Sequence, residues 1–159
     1  MSISLLHWGL VSFMIGIFLS LPLAAVVYDQ SPPWTRIFAN PRKLKSAHID
    51  FFMQALAAGF AYVLEHAADQ SFPPYILYPL LYGTIGNPLI LLLESTAIYR
   101  TGGMRLFYRA LKATSPIALL LAWTMIAWSF LPVRPLVFLL AFLAAGSAIV
   151  WRYGKSLRA

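Results

Sequence analysis

The chain is dominated by five apolar blocks that contain no charged side chain, and these blocks restrict its fold more than any other feature. They cover residues 3–28, 55–64, 75–93, 116–131 and 136–151. A helix that crosses the hydrocarbon core of a bilayer needs about 20 predominantly apolar residues. Only 11% of the residues are charged, against about a quarter in a typical soluble domain. We therefore predict an all-α integral membrane protein, a helical bundle that forms a single transmembrane domain over residues 1–159.

The basic residues collect in the connections between these blocks and in the C-terminal tail. They form three groups: Arg36, Arg42, Lys43 and Lys45; Arg100, Arg105, Arg109 and Lys112; and Arg152, Lys155 and Arg158. Because cytoplasmic loops carry the Lys/Arg excess, we expect the N-terminus outside and the C-terminus in the cytoplasm, in the inner (plasma) membrane. This orientation requires five transmembrane helices, with "LPVRP" at 131–135 separating the last two. Four helices, the last long and kinked, are the alternative.

The net charge of +7 could indicate a nucleic-acid partner, but its location in the connections favours membrane lipids and no nucleic acid. The longest connection, Arg100 to Lys112, mixes aromatic and basic residues. This mixture is typical of a helix that lies in the interface and contacts anionic lipid.

Polar residues within the spans are costly and need a partner or a function. On the second helix, a rotation of about 100° per residue places Asp50 and Gln54 on one stripe and His48 and Phe52 on the opposite side. His48 and Phe52 share their side with two small residues, Ala55 and Gly59. These small residues allow either another helix or a flat, planar cofactor to approach the backbone closely.

The third helix should run antiparallel to the second, and it contributes further polar residues. Counting a rise of about 1.5 Å per residue from the cytoplasmic ends near Ser46 and Ala97 places His48 level with Glu94, and Gln54 level with Asn87. With Asp50, these residues can form one polar cluster in the cytoplasmic half of the membrane. The alternative is that they hold the helices together without forming a site.

Two segments resemble motifs of a known family. The run "FANPRKLKSAHIDFFMQALAAGFAYVL", which begins at Phe38, and "LYGTIGN", Leu81 to Asn87, are similar in order and content to the second- and third-helix motifs of small membrane isomerases. That family includes styrene oxide isomerase and hydroxylaminobenzene mutase, and the mutase branch is the more similar. The family has four spans, and its pattern has an asparagine where this chain has Gln54.

The resemblance implies a heme b site at a subunit interface of a homotrimer, with His48 as the iron ligand and with Phe52, Ala55 and Gly59 around the cofactor. Ferric iron would act as a Lewis acid on the oxygen of a small apolar substrate from the bilayer, an epoxide or an aryl hydroxylamine. Gln54 and Asn87 would orient that substrate, and the protein would be an isomerase.

Two further classes of function stay open on the sequence. The first is a small oligomeric transporter or carrier in which Asp50 and Glu94 titrate. The second is a heme-carrying or structural membrane subunit without catalysis. The chain contains no cysteine, so thiolate ligands, iron–sulfur clusters and covalent heme attachment are excluded.

Overall fold

A computed structural model describes the backbone of residues 2–156 and the side chains of residues 2–153. Within this part of the chain every regular element is helical. The elements are α1 (Ile3–Val27), α2 (Pro32–Ile37), α3 (Pro41–Ala67), α4 (Pro74–Ser95), a short 3-10 helix (Ile98–Arg100), α5 (Gly102–Phe130) and α6 (Val133–Ser156).

Five of these helices, all except the short α2 and the 3-10 helix, are long and apolar enough to cross a membrane. The predictions of an all-α fold and of five spans are therefore confirmed, and the protein is a multi-pass membrane protein. The separation of the last two spans falls where the sequence places it, because α5 ends at Phe130 and α6 begins at Val133. Pro132 and Pro135 each lack a backbone donor and disfavour a continuous helix.

The segment from Arg100 to Lys112 is helical but not a separate helix. From Gly102 onwards it forms the beginning of α5, which continues without interruption to Phe130. No helix-breaking residue stands between Gly103 and Pro116, and Pro116 itself removes only one backbone hydrogen bond from the helix.

The chain divides into two compact units, Met1–Ala122 and Trp123–Ala159. The second unit contains the end of α5 and all of α6. The hydrophobic side chains of α6 are mostly exposed, and Phe138 and Val150 are 74% and 73% accessible. Exposed apolar side chains of this kind are what a helix presents to lipid.

In the first unit, α3 packs against both α1 and α4. The contact with α1 is close because small residues meet: a Cβ atom added to Gly9 would lie 3.3 Å from the carbonyl oxygen of Ala55. The hydroxyl of Ser12 donates to the carbonyl of Phe51 at 2.9 Å. Small residues and serine hydroxyls at helix interfaces stabilise transmembrane packing, where no hydrophobic driving force acts between helices.

The start of α3 fixes its register against α4. Asn40 caps α3 by accepting from the backbone N–H of Lys43 at 3.2 Å, and Pro41 occupies the first turn, where its missing donor costs nothing. The backbone N–H of Asn40 also donates to the carbonyl of Ser95 at 3.0 Å, which sets the end of α4 level with the start of α3.

This register differs from the one expected from the sequence. Glu94 lies level with Lys43, to which it is ion-paired at 2.5 Å, and not level with His48. The shift is about one and a half helical turns. It arises because α3 begins at Pro41, several residues before the position from which the sequence-based count started.

The opposite ends of α1, α3 and α4 are joined by a buried carboxylate. Glu65 is completely inaccessible to solvent and accepts hydrogen bonds from the backbone N–H and the hydroxyl of Ser2 at 2.6 and 2.9 Å. It also accepts from the backbone N–H of Phe72 at 2.5 Å. These hydrogen bonds satisfy a buried polar side chain and tie the ends of the three helices together.

Candidate functional site

His48 lies in the interface between α1 and α3, on the side of α3 that the sequence analysis assigned to it. Its Nδ1 atom is 2.8 Å from the carbonyl oxygen of Gly16. A carbonyl oxygen only accepts hydrogen bonds, so Nδ1 carries a proton, and in the neutral imidazole Nε2 then has the free lone pair. The imidazole is therefore held as the tautomer in which Nε2 can bind a metal.

An aromatic pair, Phe52 of α3 and Phe13 of α1, lies beside this imidazole. Phe52 packs edge to face against His48, with 5.0 Å between the ring centroids, and Phe13 packs edge to face against Phe52 at 5.2 Å. Gly16 makes room for this arrangement, since a Cβ atom there would lie 3.0 Å from the Phe52 ring. The predicted neighbour Phe52 is thus in contact with His48, and the surroundings on this side are apolar.

The two small residues of α3 differ in what lies beside them. Ala55 is buried and faces Gly9 of α1, so the neighbouring helix occupies the space beside it. Gly59 has open space instead, because a Cβ atom at this position would meet nothing within 4 Å. Both residues border an apolar groove of about 210 Å³ between α1 and α3, lined also by Leu6, Gly9, Leu10, Phe13 and Leu56.

Gln54 and Asp50 form a pair on the stripe of α3 opposite His48. The amide nitrogen of Gln54 donates to the carboxylate of Asp50 at 3.2 Å. The Oε1 atom of Gln54 is buried and has no hydrogen-bond partner among the described residues. A buried acceptor without a partner costs about 1–3 kcal/mol, and such groups in folded proteins call for an explanation.

Asn87 takes part in the interface between α4 and α5. Its Oδ1 atom accepts from the hydroxyl of Ser115 at 3.0 Å, and within the described part of the chain its amide N–H groups donate no hydrogen bond. Ser115 is fully buried. Gly83 and Gly86, the glycines of the "LYGTIGN" segment, leave the space that Leu119 and Ser115 of α5 fill.

Glu94 belongs to a third interface, at the end of the bundle that carries the basic residues. Its carboxylate is ion-paired with Lys43 and Lys112 at 2.5 and 3.1 Å and accepts from the hydroxyl of Tyr108 at 2.5 Å. Lys112 also donates to the Tyr108 hydroxyl at 2.9 Å. One carboxylate thus joins the beginning of α3, the end of α4 and the beginning of α5.

The five residues expected to form one polar cluster therefore make four separate sets of contacts. His48 bonds to Gly16, and Asp50 and Gln54 bond to each other. Asn87 bonds to Ser115, and Glu94 bonds to the lysine–tyrosine group. In the described residues no hydrogen bond joins one set to another. The different partners follow from the two opposite stripes of α3 and from the register described above.

Three residues that shape the site carried little signal in the sequence. Gly16 was one glycine in an apolar helix, and Ser115 was one hydroxyl next to Pro116. Glu65 was one acidic residue directly after the second apolar block, and the structure shows it as a buried acceptor. The only sequence signal for Gly16 and Ser115 is that small residues in transmembrane helices mark close helix contacts.

No group of three or more histidine or carboxylate side chains within the described residues could hold a metal ion. A metal bound at His48 would need other donors, such as those of a porphyrin. Comparison with known proteins yielded no match to a family model, to a curated protein or to a solved structure. The family resemblance rests on the two sequence motifs alone.

Proposed function

We propose that the protein is a membrane-embedded, heme-dependent isomerase in which His48 would bind the iron of a heme b. The observation that carries the proposal is the 2.8 Å contact between Nδ1 of His48 and the carbonyl oxygen of Gly16. Histidine ligands of metals commonly donate their second ring N–H to a carbonyl or carboxylate, which fixes the tautomer and the ring orientation. His48 has this arrangement, and it lies on the face of α3 where the family resemblance implies an iron ligand.

The surroundings of His48 fit a heme in their chemistry. A porphyrin supplies its own ring nitrogens as donors, so a single imidazole is enough to hold the iron. Phe52 packs against one side of the imidazole. The apolar groove, which Phe13, Ala55 and Gly59 line and His48 does not, lies further along the same face of α3. His48, Phe52, Ala55 and Gly59 would hold the cofactor.

A groove of about 210 Å³ is smaller than the lower end of the usual range for ligand pockets, roughly 300 Å³. One copy of the chain therefore cannot enclose a porphyrin in this groove. This size supports the proposed homo-oligomer, a trimer by the family resemblance, in which a second copy would complete the walls. A single band at the monomer mass, from a heme-loaded sample in mild detergent, would contradict this part of the proposal.

When bound, ferric heme would supply a Lewis acid that polarises the oxygen of an epoxide or aryl hydroxylamine. Because Gln54 and Asn87 lie in other interfaces than His48 within one copy, substrate orientation would come from these residues of a neighbouring copy in the oligomer. Gln54 offers a buried acceptor, because Asp50 holds its amide nitrogen. Asn87 offers amide donors, because Ser115 engages only its oxygen. In a site that excludes water, such hydrogen bonds are stronger than in solution, and a small apolar substrate would enter from the bilayer.

The contacts of Glu94 favour this proposal over a carrier. A titrating carrier group must release and rebind its proton or ion during each cycle. Glu94 is held by two lysines and a tyrosine, an arrangement that stabilises the helix ends. A heme-carrying subunit without catalysis would share the His48 site and would be distinguished by the absence of isomerase activity.

We propose that the protein lies in an inner (plasma) membrane, with its N-terminus outside and its C-terminus in the cytoplasm. The beginnings of α3 and α5 carry the basic residues, whereas the connection after α3 carries Asp69. Basic residues are retained on the cytoplasmic side.

Absorption spectra of the purified protein after heme-replete expression test the proposal. The parent protein should show a Soret band. His48→Ala should lose most of it and still insert, because the hydrophobicity of the span is unchanged. His7→Ala is the control, since His7 is an exposed histidine on α1, and it should keep the band.

Two further variants separate cofactor binding from catalysis. Gln54→Ala and Asn87→Ala should retain heme and reduce isomerase activity toward an epoxide or an aryl hydroxylamine. An unchanged Soret band in His48→Ala, or a parent protein without heme, would remove the basis of the proposal.

A further inference from the structure

The first unit contains a second open groove, at the end of the bundle that carries the basic residues. It has a volume of about 340 Å³ and lies between the last turns of α1 and the first turns of α3. Its lining residues are Ser20, Leu23, Ala24, Val27, Tyr28 and Lys45. From Ser20 to Tyr28 the groove follows α1 for about 12 Å.

The polarity of the groove changes along its length. Leu23, Ala24 and Val27 form an apolar wall, and the hydroxyl of Ser20 is turned to the carbonyl of Ile17 of its own helix at 2.6 Å. The other end is polar, with the ammonium group of Lys45 and the Tyr28 side chain, which is 82% exposed. Tyrosine and lysine in these positions are typical of the membrane–water interface.

The charge of Lys45 is not neutralised within the described part of the protein. Lys43 and Lys112 both bind the carboxylate of Glu94, whereas no carboxylate of a described residue lies within ion-pair distance of Lys45. The exposed Asp29, next to Tyr28, does not pair with it. Arg42 precedes Lys45 by three residues, is also exposed, and therefore lies beside it on the surface of α3.

We propose that this groove binds an anionic phospholipid. The phosphate group contacts Lys45, with Arg42 beside it, and part of one acyl chain lies along Leu23, Ala24 and Val27. Two observations support this occupant: the cationic end of the groove is complementary to a phosphate, and its apolar length continues from that end toward the middle of the helix. Basic residues near the membrane surface attract anionic lipid. This inference is independent of the heme site.

Binding can be measured by titrating the detergent-purified protein with phosphatidylglycerol and with phosphatidylcholine and recording bound lipid by native mass spectrometry. We expect the parent protein to prefer phosphatidylglycerol. Lys45→Gln should weaken that binding by about fivefold, which corresponds to about 1 kcal/mol for one basic residue near an anionic surface. Lys45→Arg should restore it.

Two further variants distinguish a groove from a diffuse basic surface. Ala24→Trp fills the apolar wall without changing charge and should reduce the binding of both lipids. Arg36→Gln removes an exposed charge from α2, outside the groove, and should leave binding unchanged. Equal losses in Lys45→Gln and Arg36→Gln would overturn the proposal. Full binding in Ala24→Trp, or displacement of the lipid by inorganic phosphate alone, would also overturn it.

Discussion

Replacing Gly83 with alanine should loosen the packing of α5 on α4. A Cβ atom at this position would lie 2.5 Å from Cβ of Leu119 and 2.9 Å from its Cα atom. The atoms in conflict belong to or adjoin the backbone, so no rotamer change can relieve the overlap and the helices must move apart. Overpacking of this kind typically costs about 1–3 kcal/mol.

The same substitution has a second effect of opposite sign. Alanine is a better helix former than glycine by about 0.5–1 kcal/mol in a helix interior exposed to water. Gly59→Ala is the matched control, because it is also inside a helix and its added Cβ would meet nothing within 4 Å. The difference between the two variants isolates the packing cost, and we expect Gly83→Ala to be less stable by about 1–3 kcal/mol.

The free energy of unfolding can be obtained by titrating the protein in mild detergent with a denaturing detergent and following tryptophan fluorescence. The chain has five tryptophans, so their fluorescence follows the unfolding of the whole protein. Heme-free protein should be used, because a bound cofactor stabilises the native state by itself. Equal stabilities of Gly83→Ala and Gly59→Ala would refute the close approach of α4 and α5.

The remaining predictions concern the carboxylates of Glu65 and Glu94 and the orientation of the protein in the membrane. Glu65→Gln should lower the free energy of unfolding by about 1–3 kcal/mol, because the NH2 group of glutamine would replace one acceptor oxygen and face the donors of Ser2 or Phe72. An unchanged free energy of unfolding would contradict the role of Glu65 as a buried acceptor. Glu94→Gln should cost less, about 1 kcal/mol, and its effect should shrink at high salt, since Lys43 is partly exposed and exposed ion pairs are weak and screened. A loss of stability that does not depend on salt would argue against a weak, exposed ion pair at Glu94. Reporter domains fused to the two ends should locate the N-terminus outside and the C-terminus inside; both on one side would contradict the proposed orientation.

Much of the helical architecture could be predicted from the sequence, because the length and polarity of each segment are local properties. The five spans follow from the apolar blocks, and the break between α5 and α6 follows from Pro132 and Pro135, which cannot continue a helix. The two faces of α3 also follow from helical periodicity. Periodicity separates the side that carries His48 from the side that carries Gln54, and the structure decides that the His48 side faces α1.

The partners of the polar residues could not be predicted, because they depend on how far neighbouring helices are shifted along each other. Periodicity gives the direction of a side chain but not its depth against another helix. The hydrogen bond from Asn40 to Ser95 sets that depth, and it moves Glu94 to Lys43 and away from His48. Likewise, only the packing of α5 on the glycines of α4 brings Ser115 to Asn87.

The sequence by itself determined that this protein is helical, spans the membrane and has His48 on one side of its second long helix, because composition and periodicity are fixed by the order of the residues. Only the tertiary structure decided that Gly16 holds the His48 tautomer, that Gln54 has a buried acceptor without a partner, and that Glu65 is enclosed. These properties arise from contacts between residues far apart in the chain. Their geometry depends on how far neighbouring helices are shifted along each other, which no single segment encodes.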